Sequence, residues 1–493
     1  MKSIIVIENP KSWPLDLEGA EVVAARDYLV GDTWAAKRNL RVYNLCRTYG
    51  YQTVGYYVSL LAAARGHRPV PTVETLQDLR LAPVVRVVSD LLESQIEKSL
   101  ARLSGFRFEL SIYFGRNMAK RYDALARALY EQFSVPLLRA SFERIGDRWR
   151  LSSVRPIATR EIPESHRPFV IEQAEKHFSR RDRSARSRPT YQYDLAILHD
   201  PEAEDSPSDE KSLRRFAEAA RQVGMDPWLI QRSDAARIAE FDALFIRETT
   251  SVNDATYRLA RRAESEGLVV VDDPLSILRC SNKVFLAELF SRHAIPYPRT
   301  FIAHQDSIDS IAAEVGLPCV LKRPDSAFSR GVTKASTEQE LREKAALFLE
   351  DSELLVAQEF KASDFDWRIG VLGGKALFAC RYYMARGHWQ IVRTTDGTGT
   401  RRYGKVEAVA LEDAPPEVIE IAVRAARLIG DGLYGIDLKE IDGEFLVIEV
   451  NDNPNIEAGY EDAILGDALY LEIMKWFRAK LDARGRADAT NGG

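Results

Sequence analysis

Three observations predict a multidomain chain of mixed α/β and α+β class. At 493 residues it exceeds one ordinary core, and about two to four domains are expected for that length. From Tyr193 onwards, strand-like and helix-like segments alternate at the spacing of a parallel sheet with crossover helices. Further on, two short apolar runs, Leu433–Leu438 and Phe445–Val450, flank Asp442-Gly443, a residue pair suited to a tight hairpin turn.

Residues 1 to about 155 read as an α/β domain of their own. Ser3–Ile7 and Phe108–Phe114 have the short apolar character of strands, and Ala119–Phe133 has the periodicity of an amphipathic helix. Leu137–Arg144 and Arg148–Val154 suit a hairpin around Gly146-Asp147, and no chemical signature stands out in this region. Residues 160–190 read as a connector: a polar helix near Ser165–Phe178 leads into the arginine-rich run Ser179–Arg188. That run can contact an acidic partner or simply be a solvated linker.

The alternating region predicts strands at Asp194–Leu198, Asp226–Ile230, Phe241–Ile246 and Leu268–Val271, with helices at Glu210–Val223 and Asp254–Glu266. No G-x-G-x-x-G follows the first strand, so a dinucleotide fingerprint is absent. After Ser281, a helix at Lys283–His293 is ended by Ile295-Pro-Tyr-Pro298. Strands follow at Cys319–Lys322, Leu354–Gln358, Trp367–Leu372 and Ala376–Tyr382. A helix at Glu417–Ile429 precedes the hairpin, and an amphipathic helix near Asp467–Leu481 follows it.

The composition is that of an ordinary globular protein, 45% hydrophobic and 29% charged. A net charge of -5 gives the whole chain no electrostatic footprint for nucleic acid. Cys46, Cys280, Cys319 and Cys380 form no C-x-x-C pair, which disfavours a zinc site or disulfide framework and suits a reducing compartment. The first residues read as a strand rather than a signal peptide, and no apolar run approaches a membrane span. A cytoplasmic location without a membrane partner is the expectation.

The chemistry concentrates in the second half. Glu449 and Asn451 stand two apart on a strand and share a face, and pairing across the hairpin brings Asp437 beside Glu449. Hard oxygen ligands on a rigid sheet suit Mg²⁺ with phosphate and water completing its shell; an exposed hairpin is the plainer alternative. Lys322 ends an apolar strand and can present a fixed ammonium to a phosphate. The loop Pro324–Gly331 carries Ser326, Ser329, Arg330 and Gly331, and its hydroxyls and backbone N–H groups can cradle phosphates. It is not a Walker A loop, and it can also be an ordinary hairpin connection. Gln358-Glu359, at the end of another strand, can offer its backbone to an adenine edge. Asp366 and Arg368 share a face, suiting ribose and an anionic group respectively, or a surface ion pair. Arg381 can stabilise charge on an acyl phosphate or tetrahedral intermediate, or be structural.

Taken together, Phe241-Asp-Ala-Leu-Phe-Ile-Arg247, Ser281-Asn-Lys283, Val320-Leu-Lys322, Gln358-Glu-Phe360, Asp366-Trp-Arg368 and Asp437…Glu449-x-Asn451 resemble the RimK-like carboxylate–amine ligases of the ATP-grasp superfamily over about Tyr193–Leu481. The resemblance implies a Rossmann-like pre-ATP-grasp domain followed by a two-lobed ATP-grasp domain. The expected division is 1–190 as an accessory α/β domain with a basic linker, 191–281, 282–482, and a flexible tail at 483–493. It implies Lys283 and Lys322 as phosphate-binding lysines, Gln358-Glu359-Phe360 as adenine hinge and Asp366 as ribose contact. Asp437, Glu449 and Asn451 would be metal ligands for Mg²⁺ or Mn²⁺ bridging the ATP phosphates, and Arg381 would lie near the transferred phosphate with Arg368 and Lys322.

The implied reaction is ATP-dependent amide or peptide bond formation through an acyl phosphate. Its implied substrates are glutamate or another amino acid as amine and a peptide, protein C-terminus or small carboxylate as acid, and a homo-oligomer is expected. A phosphotransferase and a non-catalytic ATP-binding scaffold are the alternatives. The Pro324–Gly331 loop departs from the family in holding one glycine where many relatives have several.

Overall fold

A computed structural model describes residues 2–10, 21–35, 37, 40–182, 191–203, 205–325, 331–394 and 401–490. Its N-terminal region holds two sheets. Lys2–Ile7 lies between Glu21–Ala24 and Leu40–Asn44, with Arg68–Val70 beyond the latter, and all these strands run parallel. The Leu40–Asn44 and Arg68–Val70 strands are additions to the sequence reading. Leu40–Asn44 is buried along its whole length yet contains Arg41 and Asn44, so it shows neither alternation nor a clean apolar run. The second sheet is antiparallel, built from Arg107–Tyr113, Leu137–Ile145 and Arg148–Pro156 in that order. Its hairpin turns at Gly146, where φ is 62°.

The segment expected to be a connector is instead partly core. The helix Arg167–Asp182 buries Val170, Ala174 and Phe178 against Tyr43 and Tyr113. The arginine-rich run begins inside this helix, and its part from 183 to 188 lies outside the described residues.

The alternating region forms a parallel sheet in the order Val269–Val271, Ala243–Arg247, Tyr193–His199, Met225–Ile230. Its crossover helices Glu210–Gln222 and Ala255–Ser265 are N-capped by the side chains of Asp209 and Asp254.

Two antiparallel sheets follow. The first runs Thr300–Ala303, Leu355–Glu359, Cys319–Lys322, Val332–Ala335. The second runs Val406–Val409, Lys375–Tyr383, Phe365–Leu372, Leu433–Ile441, Glu444–Asn451. Thr300–Ala303 and Val406–Val409 escaped the sequence reading because both are short edge strands of mostly half-buried residues. The helix Pro416–Ile429 covers one face of the second sheet, packing Val418, Ala422 and Ala425 on Trp367, Ile369, Ile436 and Leu438. That choice of face is dictated by the period of two: the intervening Asp366, Arg368 and Asp437 must look the other way. The hairpin turns where expected, with Asp442 and Gly443 at φ 51° and 83°.

The last helix spans Asp467–Thr490 and so runs into the segment 483–493 expected as a flexible tail. Arginine and alanine there favour continuing the helix despite Gly485. Its buried residues Leu469, Tyr470, Ile473, Met474 and Phe477 return to the parallel sheet and share a core with Leu195, Phe216 and Phe245. No helix among the described residues is long and apolar enough to cross a membrane.

Candidate active site

A cleft of about 680 Å³ opens between the two antiparallel sheets and reaches the ends of the parallel one. Its walls include Lys283, Lys322, Gln358, Glu359, Phe360, Asp366, Arg368, Asp437, Glu449 and Asn451, so the structure brings ten of the sequence-selected residues to one cavity.

The hairpin register sets the acidic wall. Asp437 stands opposite Glu449 and Gly435 opposite Asn451, with a bulge between Asp437 and Leu438. The Asn451 amide donates to Asp437 Oδ2 at 3.3 Å. Arg368, directly across from Asp437 on the neighbouring strand, clasps it with both arms, Nε to Oδ1 and Nη2 to Oδ2, each at 2.6 Å. Burial lifts the Asp437 carboxyl above its ordinary range while Arg368 pulls it down. Burial acts the same way on Glu449, but Lys283 and Lys322 outweigh it and hold that carboxyl below the usual range.

Facing these carboxylates is a convergence of ammonium groups. Lys283 begins the helix Lys283–Arg292 and meets Glu449 Oε1 at 3.1 Å. Its backbone N–H donates to the Pro324 carbonyl at 2.9 Å, and the Asn282 side chain reaches Asp325 at 2.9 Å, so helix and loop stem are tied together. Lys322 is buried, and its pKa is lowered to about 8, first by loss of solvent and then by Lys283 and Lys439, against the pull of Glu449. Lys439 donates to Asp366 Oδ1 at 2.6 Å and to Ser363 at 2.5 Å. Ammonium groups crowded closely enough around Lys322 to help lower its pKa form a ready anion site.

At the other end, Gln358 Nε2 donates to Thr300 Oγ1 at 3.0 Å, while Glu359 turns to Arg299 and Lys361 at 3.2 and 2.8 Å. The Phe360 ring meets Trp389 edge-on, with centroids 5.8 Å apart, which sets two apolar rings beside these polar groups.

Two expectations need correcting or setting aside. Arg381 is not in the cleft lining: its guanidinium stacks on Trp367 and Phe365, 4.7 and 5.1 Å from their centroids. It shares the sheet face covered by Pro416–Ile429, and its neighbour Tyr382 takes the cleft side instead. Ser326, Ser329 and Arg330 lie outside the described residues. Gly331, next to them, has φ 70°, and the flanking Asp325 and Val332 line the cleft.

The sequence reading also passed over cleft residues. Lys439 stands two positions from Asp437 and was within reach of the same alternation rule; Lys361 directly follows the hinge tripeptide. Trp389, Tyr382 and Asp452 gave no such signal. Asp452 accepts from Thr250 Oγ1 at 2.7 Å, and burial raises its pKa to about 7. Behind it, the wholly buried Arg247 ends a parallel strand and donates to Asn453 at 2.6 Å and to the Pro207 and Pro454 carbonyls at 2.7 and 2.8 Å. The parallel sheet thereby grips the segment that follows the carboxylate pair.

Comparison with known proteins identifies the family. The model of the RimK-like ATPgrasp N-terminal domain matches residues 25–173, and that of the RimK-like ATP-grasp domain matches residues 280–473. A protein of Thioalkalivibrio sulfidiphilus (strain HL-EbGR7), named a probable alpha-L-glutamate ligase, is 30% identical over 271 residues, 51% of this chain and 86% of that protein. One of the same name from Marinomonas sp. (strain MWYL1) is 27% identical over the same shares, 51% and 86%. A solved RimK domain protein ATP-grasp from Sphaerobacter thermophilus DSM 20745 superposes with a TM-score of 0.43 at 18% identity, covering 57% of this chain and 98% of that one.

Proposed function

We propose, for a chain that belongs to the RimK-like ATP-grasp family, that its cleft joins an amino acid to a carboxylate through an acyl phosphate made with ATP. The chain is an ATP-dependent ligase. The observation that carries the finer reading is the meeting of Asp437 and Glu449 with Lys283, Lys322 and Lys439 in one cavity. Lysines and carboxylates so placed suit a metal–triphosphate, because phosphoryl transfer is catalysed by positioning and charge neutralisation.

Lys283, Lys322 and Lys439 would hold the phosphates. The Gln358–Phe360 segment would take the adenine against Phe360 and Trp389, and Asp366 the ribose. A divalent cation fits the donors present. Among the described residues no three His, Cys, Asp or Glu converge on a metal. Here Asp437 and Glu449 would be joined by the amide oxygen of Asn451, with the remaining positions left to phosphate and water. Bound there, Mg²⁺ or Mn²⁺ would supply positive charge to the triphosphate. Arg368 and Lys322 would steady the γ-phosphoryl group as the substrate carboxylate attacks it. The amine would then displace phosphate from the acyl carbon, releasing ADP, phosphate and the amide.

Glutamate is our first choice of amine, on the names of the relatives. A peptide or protein C-terminus is our choice of carboxylate. No described residue of 1–190 lines the cleft, so we assign that region to substrate choice or assembly, with 191–281 and 282–482 as the catalytic body. Four free, buried cysteines favour the cytoplasm. The test is ADP release across a panel of amino acids and acidic peptides, with products weighed by mass spectrometry. Glu449→Gln should abolish turnover and leave the melting temperature near that of the parent. Full turnover by that variant would remove the metal assignment.

A further inference from the structure

Arg368 holds Asp437 in a way that bears on how the site fills. Both carboxylate oxygens are taken at 2.6 Å, and the Asn451 amide adds a third donor at 3.3 Å. The guanidinium also lies over the Tyr382 ring, 4.5 Å from its centroid. Tyr382 stands diagonally from Arg368 on the adjacent strand, since the register pairs Arg368 with Cys380 and Asp366 with Tyr382. Tyr382 is itself pinned: its hydroxyl donates to Glu461 Oε1, whose other oxygen accepts the Glu457 N–H at 2.8 Å. Glu461 is 3% exposed and Tyr382 7%, so neither side chain can swing away without opening the packing. A chain of contacts thus runs from the turn at 457–461, through a ring face and a guanidinium, to one of the two facing carboxylates.

We propose that Arg368 is the resident counter-ion of Asp437 in the nucleotide-free protein, and that Tyr382, locked by Glu461, is the positioning residue that keeps it there. This rests on the reading of Asp437 and Glu449 as the cation-binding pair. A divalent cation and the guanidinium compete for the same two oxygens, so the ion binds only as Arg368 yields at least one of them. Asn451 must likewise turn its amide oxygen, in place of its NH₂, towards the ion. The aromatic shelf gives the displaced guanidinium a second resting place inside the cleft, because a ring face attracts a cation without needing an anion. The ion's arrival therefore frees an arginine beside the space where substrate would lie.

The test is Mn²⁺ binding to the nucleotide-free protein, read from the electron paramagnetic resonance of free Mn²⁺. Arg368→Met removes the competitor and should tighten binding by about tenfold, the scale of one charged hydrogen-bonded contact. Arg368→Lys keeps a charge without the two-armed clasp and should tighten it less. Tyr382→Leu should shift affinity in the same direction, and Tyr382→Phe, which retains the ring, should stay closer to the parent. Glu449→Gln serves as the reference and should weaken binding. If it weakens binding while neither Arg368 variant tightens it, the competition is refuted and the cation site stands. If Glu449→Gln binds Mn²⁺ as the parent does, the cation site itself is wrong and the proposal falls with it.

Discussion

Lys322 shows how much one residue's surroundings can reveal. Its pKa is lowered to about 8 by burial and by neighbouring lysines, so near neutral pH it is charged but easily neutralised. A bound triphosphate adds negative charge and must raise that pKa. Nucleotide binding above pH 8 should therefore take up a proton. Calorimetry in buffers of different ionisation enthalpy would show this uptake, absent at pH 6 and lost in Lys322→Arg. Affinity should fall as pH rises through about 8, since the free protein then holds Lys322 neutral. Lys322→Ala should cost about 1.5–3 kcal/mol of nucleotide binding. Unchanged affinity would place the phosphates elsewhere.

Among the elements, the five-stranded sheet is a two-faced plate whose chemistry depends on its packing. Trp367 is fully buried under the helix Pro416–Ile429, with Asp366 and Arg368 on either side of it facing the cleft. Trp367→Ala should cost about 3–5 kcal/mol of stability, measured by denaturant unfolding. It should also raise KM for ATP, because its neighbours lose their backing and Arg381 its stacking surface. The same plate shows what the sequence made legible. Alternation placed Asp366 with Arg368 and Glu449 with Asn451, and Asp442-Gly443 aligned Asp437 with Glu449. Alternation cannot say which face of a strand a helix will cover, so Arg381 was expected near the transferred phosphate and Tyr382 was passed over. Lys2–Ile7 was legible as a strand, but its partner Leu40–Asn44 and the next strand out, Arg68–Val70, were not, because they place arginine and asparagine where only tertiary pairing explains them.

Across the whole molecule, the N-terminal region meets the parallel sheet in part through buried polar and charged pairs. Arg68 meets Asp242 at 3.1 Å and also donates to the Phe241 carbonyl. Arg41 lies 4.0 Å from Asp194, and His177 lies 3.4 Å from Glu240. Removing one partner of such a pair leaves a buried charge, so Arg68→Met should lose about 3–5 kcal/mol. ATP affinity should hold, since the cleft takes nothing from that interface; a matching loss of affinity in the folded variant would show that the N-terminal region shapes the nucleotide site. The final helix carries a different consequence. Because Leu469–Phe477 complete the core around Leu195, Phe216 and Phe245, the parallel sheet cannot close its own hydrophobic layer until that helix has left the ribosome. During synthesis that layer stays open through the making of more than two hundred residues, from Val271 to Phe477. A nascent chain stalled before Asp467 should therefore depend on chaperones and be cut readily by protease within 193–271, whereas one extended past Thr490 should not.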